Sequence, residues 1–510
     1  MDTIIRRATM TDLRDTKRLW GMGEVLAMSI PASLGMLTPT LVRFIDAWMV
    51  SYTGPEALDA QMLGGMASFV PESFATGLLT VVNTYVSQNL GAGRPGRCGQ
   101  YAWAGIAIAL VCCVFVVPLV FYARPLFGLL AWVFGISPGL VDMAAMYFQF
   151  MVAAIFLTLT SRPLEQFFYG IQKPRVVLWS TLISNVANLV LGYLLIFGSS
   201  GFLVFERFDL TRDTAVWLGR IYPYQGGGLR GAAIAAVICW GLYLAILAAN
   251  FLRPSFNRRF GTYGMLSTRM SQCLDLLKVG WPAGVQFLAD ILPWQLMLTI
   301  LIAPFGEDQL AASAIAMRWM PLSFMPAVGV GVAATALVGR YMGEGRPDLA
   351  RRRAHAALAL ALLYMGACAV AFWALREPMV RLFVTVIPTP EISPQQSAHL
   401  AGRIVMLGGY VMLCAAVFQL FDAIGIVFIG ALRGAGDTLW PMVTVIITSF
   451  SITLGGGWLM TRWVPSLGSI GPWFAGSAYV IVLGLALAWR FESGKWRRVN
   501  LLGQAGPAVK

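Results

Sequence analysis

The sequence predicts an all-α integral membrane protein with twelve transmembrane helices arranged in two pseudo-symmetric six-helix lobes. The 510 residues are 58% hydrophobic and only 12% charged, whereas soluble domains carry about 25% charged residues. The apolar residues fall into stretches that are long enough to cross a bilayer as helices. Related stretches also recur in the two halves of the chain, which indicates a duplicated unit.

The duplication is visible as matching residues at a constant separation. The stretch VSQNLGAGRPGR ends at residue 97, and its counterpart VGRYMGEGRPDLAR ends at residue 351. The matched pairs, each 252 residues apart, are Gly54 and Gly306, Leu58 and Leu310, Gly77 and Gly329, Gly91 and Gly343, and Pro95 and Pro347. A second pair of stretches, 167–180 and 429–442, is also related. Gly170 and Pro174 match Gly434 and Thr438 at a separation of 264. A fixed spacing near half the chain length points to a transporter built from two related bundles.

Hydropathy predicts the position of each span. The twelve predicted spans are 22–50, 62–90, 100–123, 139–165, 176–198, 229–252, 277–303, 314–341, 355–376, 402–430, 439–461 and 470–490. The apolar segment 125–138 is too short to cross, and we expect it at the outer interface. A long outer loop is predicted at 199–228.

These spans define five regions. The first is an N-terminal segment at 1–20, and the last is a tail at 491–510. Between them lie an N-terminal six-helix lobe at 21–252, a polar and basic linker at 253–276, and a C-terminal six-helix lobe at 277–490.

The basic residues predict the orientation and argue against a nucleic-acid partner. The formal charge is +13, but lysine and arginine cluster in alternate loops, which is the positive-inside pattern. This pattern places both termini in the cytoplasm of a multi-pass protein of the cell membrane.

Several kinds of chemistry are disfavoured by the sequence. The seven cysteines lie mostly in apolar spans without CxxC spacing, and the two histidines have no neighbouring cysteine or histidine, so we expect no disulfide framework or zinc site. A membrane enzyme would need a metal-binding aspartate pair, HExxH or a Ser/His set, and a pump would need a nucleotide motif. We therefore predict that the protein is not an enzyme and needs no cofactor beyond a coupling ion.

Five motifs in order resemble the multidrug and toxic compound extrusion (MATE) family. They are DAWMVSYTGPEALDA, VSQNLGAGRPGR, FYGIQKP, VGRYMGEGRPDLAR and FQLFDAIGIVFIGALRGAGDT, and the resemblance covers about residues 20–490. It implies two six-helix lobes related by a pseudo-twofold axis along the membrane normal. It also implies a central cavity and the export of organic cations in exchange for Na+ or H+.

Two carboxylates stand alone inside the predicted C-terminal lobe. Asp290 lies midway along span seven and Asp422 midway along span ten. A charged group at the centre of a membrane helix costs roughly 2.5–3.5 kcal/mol, so each needs a reason. We predict that the pair shares a proton or binds Na+, and no other metal site is expected. The alternative is a structural role, such as pairing with Arg318. The resemblance adds that NorM-type members keep acidic residues at both positions.

The N-terminal lobe offers a second candidate site. Asp46 lies in the outer half of span one, beyond Pro31 and Pro39, and Arg43 is close enough along the helix to pair with it instead. The resemblance implies that Asp46 and Asn188 belong to the cation-coupling site of this lobe. Gly192 stands where many family members carry a second aspartate. This departure favours the C-terminal pair, although Glu165 is another carboxylate in the same lobe.

The substrate cavity is less well defined by the sequence. Gln286 and Trp294 on span seven and Asn185 on span five are candidates to line it. The acidic candidates singled out within the spans outnumber the three basic candidates, Arg43, Arg162 and Arg318, and we interpret this as favouring a cationic cargo.

The combined prediction is a secondary active antiporter for organic cations or drugs. It would work in the lipid bilayer with small-molecule partners, and the two-lobe duplication makes a monomer sufficient. The main alternative is a lipid-linked glycan flippase of the same superfamily, whose cavity would need several basic residues to hold a pyrophosphate. Arg43, Arg162 and Arg318 are the candidates that we consider for this role.

Overall fold

The computed structural model describes residues 21–134, 138–198, 226–264, 269–384 and 394–503. The predicted N-terminal segment 1–20, most of the predicted loop 199–228 and the end of the tail lie outside the described residues. Within the described ranges the chain forms helices and turns, without a strand.

Within the described residues, twelve helices are long and apolar enough to cross a membrane, as the sequence predicts. Spans 1 to 12 are Met22–Ser51, Glu56–Gly91, Pro95–Val120, Pro138–Gly170, Pro174–Phe197, Gly228–Phe251, Met270–Phe305, Glu307–Gly343, Pro347–Ala374, Gln395–Ala435, Leu439–Trp463 and Ile470–Glu492. Spans 2, 7, 8, 9 and 10 each begin six to eight residues earlier than hydropathy indicates, because a helix continues through polar residues beyond its apolar stretch. Shorter helices cover Ala123–Phe134, Pro254–Phe260 and Arg376–Arg381.

Three spans contain local breaks. Span 2 consists of helices Pro55–Leu79 and Val81–Gly91. Span 7 continues from the α-helix Met270–Leu296 into a π-helical segment, Met297–Ile302, and a 3₁₀ turn, Ala303–Phe305. Span 11 has a π-helical segment, Ser449–Gly456, between helices Leu439–Thr448 and Gly457–Trp463. Such segments are frequent at functional sites.

The duplicated glycine turns have the same backbone geometry in both halves. Gly93 and Gly345 both have φ of 70°, a left-handed conformation that favours glycine. The N–H of Arg94 donates to the carbonyl of Asn89, and that of Arg346 donates to Tyr341, each at 2.9 Å. This is the long hydrogen bond of a Schellman cap. A proline then begins the next span in each half. We call this end of the molecule the glycine-turn end.

The two halves meet closely at the glycine-turn end. A Cβ atom on Gly91 would lie 1.9 Å from the carbonyl oxygen of Arg340, and one on Gly343 would lie 2.0 Å from that of Gln88. Gln88 and Arg340 are themselves 252 residues apart. The contact is therefore nearly symmetric, and only glycine lets the two backbones approach this far.

Polar contacts join the halves beside this crossing. Glu24 of span 1 accepts hydrogen bonds from Tyr341 and Arg353 at 2.8 Å each. Arg340 lies 3.5 Å from Glu24 and donates to Gln172 at 2.7 Å. We call these five residues the inter-half ion cluster. It closes the first half against the second at the glycine-turn end.

Buried apolar residues form two large clusters and a smaller one. One large cluster is built mainly from spans 1 to 6 and the other from spans 7 to 12. The smaller cluster joins Val25 and Met28 of span 1 to spans 8, 9 and 10. The lobe and linker boundaries given above remain predictions.

The linker and the tail pack against the helices. Phe256 and Phe260 of the helix Pro254–Phe260 contact Phe168 and Phe167 at centroid distances of 5.6 and 5.9 Å. Trp496, just beyond span 12, is fully buried and stacks on Phe491. The aromatic residues of these segments thus hold them to the membrane helices.

Candidate cation-coupling site

Asp290 is held in place by span 12. The hydroxyl of Tyr479 donates a hydrogen bond of 2.6 Å to Oδ1 of Asp290. The helix around Asp290 is opened by Pro293, which has no N–H to donate to the carbonyl of Ala289. Ser449, in the π-helical segment of span 11, donates to this carbonyl at 3.1 Å. Spans 7, 11 and 12 together therefore position the carboxylate.

Asp422 lies one turn beyond Phe418 on span 10, and Asp290 lies one turn before Trp294 on span 7. The rings of Phe418 and Trp294 are 6.2 Å apart, so the two aspartates belong to the same region of the second half. Neither aspartate makes an ion pair with any residue in the described part of the chain. The guanidinium of Arg318 lies instead over the ring of Phe383, 5.8 Å from its centroid. The structural alternative from the sequence, a pair with Arg318, is therefore not formed.

The arrangement suits a small hard cation or a proton. Two neighbouring carboxylates without a basic partner repel each other when both are ionised, and a bound cation or proton relieves this repulsion. The carboxylates and the Tyr479 hydroxyl supply oxygen atoms, which hard cations prefer. No group of three or more His, Cys, Asp or Glu side chains able to hold a metal occurs within the described ranges.

Asp46 and Asn188 are in contact in the first half. Nδ2 of Asn188 donates to Oδ2 of Asp46 at 2.8 Å, while Arg43 is exposed. A Cβ atom on Gly192 would lie 3.8 Å from Oδ1 of Asp46 and 3.4 Å from Cε of Met49. A side chain at position 192 would therefore face Asp46. The site therefore contains the carboxylate of Asp46 and the amide of Asn188, and Gly192 adds no side chain to it.

Glu165 is used elsewhere. It is 3% exposed and pairs with Arg162 one turn earlier, with 3.1 Å between Oε2 of Glu165 and Nη1 of Arg162. An ion-paired carboxylate on span 4 does not replace the missing one at position 192.

The three predicted cavity residues occupy different surroundings. Gln286 is buried one turn before Asp290. Trp294 packs against Trp473, Phe418 and Tyr479 at centroid distances of 5.8, 6.2 and 6.4 Å. The amide nitrogen of Asn185 is buried and makes no hydrogen bond with the described residues. Their role in holding cargo remains a prediction.

Sequence reasoning did not single out Tyr479 or Ser449. A tyrosine in the middle of an apolar span needs a partner for its hydroxyl group, and this signal points to Tyr479. Ser449 has no such signal, because serine in a membrane helix ordinarily bonds to a carbonyl of the preceding turn.

Comparison with known proteins supports the resemblance. The MatE family model matches residues 31–194 and 282–459, once in each half. A probable multidrug resistance protein NorM from Burkholderia pseudomallei is 26% identical over 470 residues, which cover 92% of each chain. Another, from Thermotoga maritima, is 25% identical over 492 residues and 94% of each chain.

Solved structures show the same fold. An outward-facing multidrug resistance MATE family transporter of the MOP superfamily aligns with a TM-score of 0.76 at 18% identity, over 94% of this chain and 98% of the other. A mutant of the Vibrio cholerae MATE transporter VcmN aligns with a TM-score of 0.76 at 19% identity, over 94% and 99%. With its twelve apolar spans and a family match in each half, the chain is a multi-pass membrane protein that belongs to the MatE family.

Proposed function

We propose that the protein is a secondary active antiporter that exports small organic cations or drugs in exchange for Na+ or H+. Membership of the MatE family and similarity to the NorM proteins support efflux transport. The observation that carries the coupling is the cluster of Asp290, Asp422 and Tyr479, in which Tyr479 holds Asp290 and neither carboxylate has a basic partner among the described residues. We also propose that the protein lies in the cell membrane with both termini in the cytoplasm.

The proposed mechanism uses the coupling ion to change which state of the protein is favoured. A Na+ ion or a proton that enters from outside neutralises the repulsion between Asp290 and Asp422. Such an ion shifts the equilibrium only if it binds the two states differently. Spans 7, 10 and 12 carry the cluster, and span 11 donates to the carbonyl of Ala289 beside it, so neutralisation would alter the packing of these spans and release the bound cargo outward.

The first half would assist rather than drive the exchange. Asp46 and Asn188 form a site with a single carboxylate, and Gly192 adds no charge. We therefore place the main coupling in the C-terminal lobe, with Na+ at Asp290 and Asp422 if the ion is Na+.

The basic residues do not favour the flippase alternative. Arg162 pairs with the buried Glu165, and Arg318 lies over Phe383, which leaves the exposed Arg43 alone among the three candidates. A lipid-linked pyrophosphate would need free guanidinium groups that face the cavity.

Transport by the purified protein in liposomes tests the proposal. Ethidium flux should appear when a Na+ or pH gradient of the correct direction is imposed, and it should be absent from liposomes without protein. Failure under both gradients, together with movement of a lipid-linked oligosaccharide, would overturn the antiporter proposal in favour of the flippase.

A further inference from the structure

A groove of about 350 Å³ lies on the outside of the first half, between spans 5 and 6. Arg175 and Arg253 line it together with Trp179 and Ile183. Arg175 is the second residue of span 5, and Arg253 follows the last residue of span 6 by two positions. Because both arginines lie at the ends of membrane helices, the groove is level with the membrane interface.

The lining of the groove changes from charged to apolar along the helices. Arg175 and Arg253 are exposed, and neither makes an ion pair within the part of the chain that the structure describes. One and two turns further along span 5, Trp179 is 62% exposed and Ile183 is 49% exposed. Two free cations therefore stand at the mouth of a groove whose deeper wall faces hydrocarbon.

The second half closes the corresponding place. Val176 lines the groove, and its counterpart at the separation of 264 is Trp440. The ring of Trp440 lies 6.1 Å from that of Trp489. Arg490 extends over Trp440 and pairs with Asp437 at 2.8 Å. The groove is thus a feature of the first half and not a consequence of the duplicated fold.

We propose that this groove binds an anionic phospholipid from the surrounding leaflet. Guanidinium groups recognise phosphate oxygens through paired hydrogen bonds. The acyl chains would lie along Trp179 and Ile183. Basic pockets between membrane helices are suited to anionic head groups. The apolar wall favours a lipid over a soluble phosphate, since a soluble phosphate would contact the arginines but leave the apolar wall without a partner.

Native mass spectrometry of the purified full-length protein tests this proposal. Phosphatidylglycerol and phosphatidylcholine with the same acyl chains serve as probes, and glycerol 3-phosphate serves as the soluble phosphate. We expect the wild type to retain phosphatidylglycerol in preference to both. The double variant Arg175→Gln/Arg253→Gln should bind it roughly 10- to 30-fold more weakly. The control Arg352→Gln/Arg498→Gln removes two other exposed arginines and should leave binding unchanged.

A variant that retains both arginines distinguishes binding in the groove from a general attraction between positive charge and anionic lipid. Val176→Trp should fill the groove as Trp440 does in the second half, and it should lose the bound phosphatidylglycerol despite intact arginines. The proposal is overturned if the wild type holds both lipids equally. It is also overturned if glycerol 3-phosphate binds as tightly as the lipid, if both double variants lose binding equally, or if Val176→Trp binds as well as wild type.

Discussion

Gly192 is the residue at which the first-half site departs from two carboxylates. Its Cβ direction points at Asp46, 3.8 Å from Oδ1. Asp46 already accepts a hydrogen bond from Asn188, so a carboxylate added at position 192 would complete a cluster of oxygen atoms. The absence of this side chain is the physical reason to place the main coupling at Asp290 and Asp422.

Gly192→Asp should therefore create a Na+-dependent site in the first half. Two adjacent carboxylates repel each other, and a bound cation relieves the repulsion. Bound Na+ would then stabilise the folded protein by about 2.7 kcal/mol at a hundredfold excess over its Kd. The measurement is the melting temperature in detergent as Na+ replaces choline at constant ionic strength. The matched control is Gly192→Asn, which has the same shape without the charge. An equal response of the two variants to Na+ would contradict this assignment.

The candidate site could be predicted only in part from the sequence. Lone carboxylates in apolar spans identified Asp290 and Asp422, and the resemblance identified Asp46 with Asn188. The hydrogen bond from Tyr479 to Asp290 could not be predicted, because it depends on which faces of spans 7 and 12 meet. The ion pair between Arg162 and Glu165 could be predicted from the sequence, since residues three apart on a helix are neighbours.

At the scale of elements, the two halves make a close contact where spans 2 and 8 cross at the glycine-turn end. Gly91 and Gly343 each lie against a backbone carbonyl of the other half. The sequence showed the duplicated glycine motifs, and the structure gives Gly93 and Gly345 the same turn geometry in both halves. The sequence did not predict that Gly91 and Gly343 would each lie against the other half, because the packing of the two bundles is a tertiary property.

Gly91→Ala should push the two halves apart. A methyl group there would overlap the carbonyl oxygen of Arg340, and overpacking of this kind costs about 1–3 kcal/mol. The measurement is the fraction of protein that remains monodisperse after heating, followed by size-exclusion chromatography. Gly96→Ala is the control, because nothing lies within 4 Å of a Cβ atom at that position. If both alanine variants lost stability equally, the crossing would not be a tight contact.

Glu24→Gln should weaken closure at the same end. The carboxylate accepts from Tyr341 and Arg353, and hydrogen bonds to charged groups contribute about 1.5–3 kcal/mol each. Loss of the charge should therefore raise the open population roughly 10- to 100-fold. Spin labels at Gly96→Cys and Asp348→Cys, in a background without the native cysteines, would report the distance between halves. Glu492→Gln is the control, since Glu492 pairs with Arg351 inside the second half. An unchanged distance distribution in Glu24→Gln would show that this cluster does not hold the halves together.

At the scale of the whole molecule, hydropathy and duplication were sufficient to predict the architecture. All twelve predicted spans are present, because about 20 apolar residues have few stable alternatives to a membrane helix. The family model matches once in each half, in agreement with the duplicated motifs. The orientation of the termini rests on the distribution of basic residues and remains a prediction.

The central claim is that the carboxylate pair of the second half couples ion entry to export. The most direct measurement is ethidium flux in liposomes, with a Na+ gradient and a pH gradient imposed separately, for wild type and Asp422→Asn. Asp142→Asn is the control, because Asp142 is exposed and pairs with Arg124. We expect flux driven by one of the gradients in wild type and in the control, and a loss of at least about tenfold in Asp422→Asn. Undiminished gradient-driven flux in Asp422→Asn would contradict the claim and move the coupling to Asp46.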